Sequence, residues 1–116
     1  MSKGEVEMQQ LALCQERGVA YVVAELSKKV GFALETVGLL PINGLRHPPV
    51  GDTTGWYIWC GETFSREPEF FSPLHTLHLL ERCPESARFL GLPPGSRFLV
   101  AGDYVDSWFD ESLLKT

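Results

Sequence analysis

Apolar residues along this chain follow two rhythms, and one long stretch follows neither. Residues 5–17 carry Met8, Leu11 and Cys14 at three-residue spacing within a helix-forming composition, and Gly18 is a natural stop. That predicts a first helix. VAYVVAEL at 19–26 is rich in β-branched and aromatic residues and reads as a strand, although the run could also carry the helix past Gly18. VGFALETV at 30–37 alternates and predicts another strand. LLPINGLRHPPVGDTTG at 39–55 breaks the rhythm with Pro, Gly and Asn and reads as a long connection, a kind that is often functional. Its adjacent prolines restrict His47 and hold the tip extended. GWYIWCG follows as a strand, sending Trp56, Ile58 and Cys60 to one face and Tyr57 and Trp59 to the other. One set belongs under the helices. The other needs a cover, either the 39–55 loop or a partner, and for Trp59 the chain itself is the expected cover.

FFSPLHTLHLLERCP at 70–84 reads as a helix, with Ser72 as cap, Pro73 in the first turn and Pro84 as stop. Helical spacing gathers Leu74, Leu77, Leu79, Leu80 and Cys83 into one arc and leaves His75, His78 and Arg82 on the other. A short helical turn over 85–90 leads to LPPG at 92–95, where Gly95 is free to take positive φ. RFLVAG at 97–102 and YVDSWF at 104–109 are two strands joined by a tight Gly102-Asp103 turn. The order predicts a single-domain α+β fold over 1–116, a mostly antiparallel sheet of about four to five strands with helices on one face.

Length and composition agree with one ordinary globular core. No apolar run is long enough for a membrane span, and the N-terminus lacks the plan of a signal peptide, so the expected location is cytoplasmic. Cys14, Cys60 and Cys83 are widely spaced with no CxxC pair, which argues for reduced thiols rather than disulfides or structural zinc. The net charge of −5 is uneven. Residues 1–58 hold five Lys/Arg against six Asp/Glu, and residues 59–116 hold five against nine, giving −1 and −4. An acidic half disfavours nucleic acid and favours basic partners through steering.

Candidate chemistry is sparse. His75 and His78 at i, i+3 could share a metal, but no third ligand falls in their sector, so no metal and no cofactor is expected. No GxSxG elbow, nucleophilic Cys motif or phosphate-binding loop is present, and no catalytic residue is assigned. Arg46 and His47 on the stiff loop are the best exposed contact candidates. Tyr57, His75, His78 and Arg82 add to them. In the last hairpin Asp106 and Trp108 share a strand face, between Asp103 in the turn and Asp110 as a cap for whatever follows. An aromatic beside a carboxylate resembles an interface core with its polar rim.

The strings GLRHPP, GWYIWCGE, FFSPLHTLHLLERCP, LGLPPGSRFL and WFD, in that order and spacing, resemble a family of small bacterial immunity proteins of polymorphic toxin systems, the type numbered thirty-three. The resemblance covers about residues 30–116. It implies a protein that binds a cognate toxin and blocks it, without catalysis or cofactor, and it implies no family active site. The alternative expectation is a small enzyme or ligand-binding domain whose pocket lies beneath the 44–55 loop, walled by His47, His75 and His78.

Overall fold

A computed structural model describes residues 2–115. Helix α1 spans Lys3–Arg17; the Ser2 hydroxyl accepts from the Glu5 N–H at its start, and Gly18 closes it in the left-handed conformation. The strands are β1 (Lys29–Phe32), β2 (Ile42–Arg46), β3 (Thr53–Cys60), β4 (Ser72–His75), β5 (Ser96–Ala101) and β6 (Tyr104–Phe109). Helix α2 spans Thr76–Arg82, and short 3₁₀ helices cover Leu34–Thr36, Pro84–Phe89 and Glu111–Leu114. The strands form one six-stranded sheet in the order β4-β1-β3-β2-β5-β6. β1 and β3 run parallel, and the other neighbouring pairs are antiparallel. The fold is α+β, as expected, with six strands in place of four to five.

Side-chain alternation divides the sheet into two unlike faces. Val30, Phe32, Ile42, Trp56, Ile58, Cys60, Phe98 and Val100 belong to the main core, together with Leu79, Cys83, Phe89, Leu90 and Leu92. α1 packs on the Pro84–Phe89 helix above them. The opposite face carries a smaller core of Ala33, Leu45, Trp59 and Leu113, with Phe70 and Phe71 against it. Burial of large apolar side chains, each worth about 1.5–3 kcal/mol, favours this two-sided arrangement. Trp59 is covered from within the chain, as expected. The cover is the 61–71 segment and the C-terminal turn, not the 39–55 stretch.

Four element assignments are corrected. Of the run at 30–37 only the part up to Phe32 is strand, and Leu34–Thr36 turn into a 3₁₀ helix. Residues 19–26 form no strand, because their carbonyls go elsewhere: Val22 and Val23 accept from the Arg46 guanidinium. The 39–55 connection contains β2, a central strand. Gly44, which reads as a loop residue, lies against the Phe98 ring, where only a missing Cβ allows the approach. The Asn43 amide donates to Pro41, Trp59 and Gly61 carbonyls and so closes the strand end. The helix expected from residue 70 begins only at Thr76, since Ser72–His75 pair with the edge of β1. Thr76 seals that junction by donating its hydroxyl to Lys28 O at 2.8 Å. Ser72 therefore does not cap, and Leu77 is 47% exposed rather than part of the buried arc.

The hairpin prediction matches closely. β5 and β6 are joined at Gly102, with φ of 61°, and Gly95 takes φ of 95°.

Candidate functional site

β6 lies at one end of the sheet and exposes more aromatic surface than any packed element needs to. In the register with β5, Tyr104 faces Ala101, Asp106 faces Leu99 and Trp108 faces Arg97. Tyr104, Asp106 and Trp108 consequently share one face, the same face that carries Trp59 and Tyr57 further into the sheet. Tyr104 is 61% exposed, Trp108 44% and Phe109, on the other side, 60%. Residues 98–114 contain Asp103, Asp106, Asp110 and Glu111 and no Lys or Arg. The strip is therefore acidic and aromatic at once, the chemistry of anchors within a polar rim.

Asp110 is the one of these acids with a structural task. Its carboxylate accepts from the Ser112 N–H at 3.0 Å and pairs with Arg97 Nε at 2.7 Å. Those Ser112 and Arg97 contacts hold its carboxyl below the usual range. It caps the last 3₁₀ helix, as expected, and carries the chain back over the sheet so that Leu113 reaches the smaller core.

A groove of about 590 Å³ opens at the other side of that turn. His47, Pro48, Val50, Tyr57, Phe71 and Pro73 are among its walls. His47 Nδ1–H donates to Leu113 O at 3.0 Å, and its ring meets Tyr57 edge-on at 5.7 Å. Tyr57 in turn touches Phe71 at 5.2 Å, and Phe71, Phe70, Phe64 and Trp59 continue the chain of rings. Tyr57 can lean over β1 because Gly31 has no side chain: a Cβ there would lie 2.6 Å from the Tyr57 ring.

The sequence matches the model of the Imm33-like domain over residues 9–110. This chain belongs to the Imm33-like family. The match begins within α1, so membership extends further toward the N-terminus than the motifs at 30–116 suggest. No curated protein and no solved structure matches the chain.

In this Imm33-like chain the residues singled out by sequence fall into three separate groups. Asp103, Asp106, Trp108 and Asp110 lie together on the β6 hairpin. His47 and Tyr57 lie together in the groove. His75, His78 and Arg82 are exposed around α2, with the two imidazole rings 6.0 Å apart, and neither histidine borders the groove. Among the described residues no trio of His, Cys, Asp or Glu converges as metal ligands. No helix among them is long and apolar enough to cross a membrane.

Arg46 is the clear correction. It is 1% exposed, so it cannot serve as a surface contact. Strand alternation turns it to the helix side, where Nε donates to Thr54 O and the two Nη groups reach carbonyls of Val22, Val23, Leu90 and Leu92. The guanidinium also lies 5.6 Å from the Trp56 ring centre. Burial pulls its pKa down to about 10, which leaves it cationic at neutral pH. Cys14, Cys60 and Cys83 are free and buried. The neighbouring Cys83 lowers the Cys60 pKa to about 7 against burial, and Cys60 together with burial raises that of Cys83.

Sequence reasoning missed Tyr104, Phe109 and Phe64 as exposed rings. The first was within reach: the same period of two that aligned Asp106 with Trp108 places Tyr104 beside them. Phe64 carried no such signal, because its segment has no regular period.

Proposed function

We propose that this chain is a non-catalytic binding module, an immunity protein that neutralises a cognate bacterial protein toxin in the cytoplasm. Membership in the Imm33-like family carries the reading. The acidic, ring-bearing strip at 103–111 supports it, since exposed Tyr and Trp side chains are preferred anchors and surrounding carboxylates steer a basic partner. A tight complex of this kind buries about 1,200–2,000 Å². The net charge of −5 fits a protein partner better than nucleic acid, whose phosphates it repels. Metal and cofactor have no part in the mechanism; inhibition is occlusion of the toxin by a preformed surface.

A ligand-binding or catalytic pocket walled by histidines is supported less well. His47 borders the groove, whereas His75 and His78 lie outside it.

Co-expression of the chain with a toxin domain encoded in a neighbouring reading frame tests the proposal. Cells carrying both should grow where cells carrying the toxin alone arrest. Arrest in both, with the chain present as folded protein, contradicts it.

A further inference from the structure

We propose that β6 is the docking edge itself, and that it takes an extended, basic segment of the toxin as a further strand of the sheet. This deepens the reading of the chain as a toxin-binding protein and rests on it.

The two ends of the sheet are not alike. At the β4 end, Lys29 faces His75 and the Thr76 N–H donates to Lys28 O, which sets the phase of the ladder. Residues 73 and 75 then direct their main-chain polar groups away from β1. Pro73 has no N–H to offer, and the chain turns into α2 directly after His75. Such an edge is closed to further pairing.

At the β6 end, Ser96 faces Phe109 and the Asp110 N–H donates to Gly95 O at 2.7 Å. That phase turns the N–H and C=O groups of Val105, Ser107 and Phe109 outward. No described residue hydrogen-bonds to them. The strand is six residues long against four for β4, and it carries no Pro, Lys or Arg of the sort that blunts natural edges. An exposed ladder edge recruits an extended segment through main-chain hydrogen bonds, and alternate side chains supply the selection.

Charge identifies the occupant. Asp103 precedes the edge, Asp106 stands at its middle between Tyr104 and Trp108, and Glu111 follows. A strand with Lys or Arg opposite Asp106 places that cation beside the carboxylate on the Tyr104–Trp108 face and its stem along the two rings, while Asp103 and Glu111 flank the two ends of the edge. A second copy of this chain fits poorly. Two β6 strands paired about a two-fold axis would bring both Asp106 carboxylates onto one face, and like charges on neighbouring strands repel.

Backbone hydrogen exchange of the purified chain, alone and with the neighbouring-frame toxin domain, tests the proposal. Exchange at Val105, Ser107 and Phe109 should slow by about tenfold or more in the complex, as amides that gain a hydrogen-bonded partner do. Ser107→Pro removes an outward N–H while sparing the pairing with β5, and should weaken binding by about tenfold or more. The double change Asp103→Lys with Asp106→Lys, which leaves the edge backbone intact, should weaken it likewise and serves if the proline variant fails to fold. A toxin that binds with protection confined elsewhere, or that binds both variants as tightly as the parent, overturns the strand-addition proposal while leaving the immunity reading standing. No binding of the toxin at all removes both. Self-association through β6 in the absence of toxin would assign the edge to a second copy and also overturn it.

Discussion

Arg46 shows how one side chain can join segments that share no ladder. Its donors reach carbonyls at 22–23, 54 and 90–92, so it connects the non-regular 19–26 run, β3 and the turn before β5. A shorter side chain cannot span these acceptors, and buried carbonyls left without donors cost about 1–3 kcal/mol each. Arg46→Ala should therefore destabilise the fold by about 3 kcal/mol or more, within the range of buried-network losses. Chemical denaturation of the variant measures this, and a loss below about 1 kcal/mol would show that water replaces the guanidinium without difficulty. Asp110 works on a smaller scale and at the surface: by pairing with Arg97 and capping Ser112 it sets where the last turn crosses the sheet.

At the level of elements, what the sequence revealed depended on whether local and tertiary preferences agreed. α1 was legible from its composition and its Gly18 stop, but its expected stripe is corrected, since Met8 and Leu11 are exposed and Val6, Gln10 and Cys14 are the buried positions. β3 and the β5–β6 hairpin were legible because period and turn residues point the same way. β2 was not, since Asn43 and Gly44 read as loop until their partners are known. Gly44 is there for the Phe98 ring, and Asn43 for three carbonyls that close the strand end. β4 was hidden by Pro73, a good first-turn residue that here ends a sheet, because pairing with β1 outweighs helical propensity. Arg46 was misplaced for the same reason as β2: a loop residue is expected at the surface, and a central-strand residue is not. Asp103, Asp106 and Trp108 could be placed relative to one another from the sequence because they lie within the legible hairpin. Gly44→Val tests the close approach in β2. The added side chain would collide with Phe98 and should cost about 1–3 kcal/mol or more, read as a lower denaturation midpoint. An unchanged midpoint would mean that the central strand has slack between its neighbours.

At the scale of the molecule, the sheet has one closed end and one open end, and Asp103, Asp106, Asp110 and Glu111 stand along the open one with no Lys or Arg among residues 98–114. The helical layer and the 61–71 segment each bury one face, so the parts of the sheet itself left open are the β6 border and the groove beside His47. Charge there governs encounter more than final affinity, and its influence fades as salt rises. Isothermal titration of the purified chain with the neighbouring-frame toxin domain tests the central claim most directly. A one-to-one complex is predicted, weakened by added salt and by Asp103→Lys with Asp106→Lys. Absence of any heat of binding at micromolar concentrations, with both proteins folded, would contradict the account.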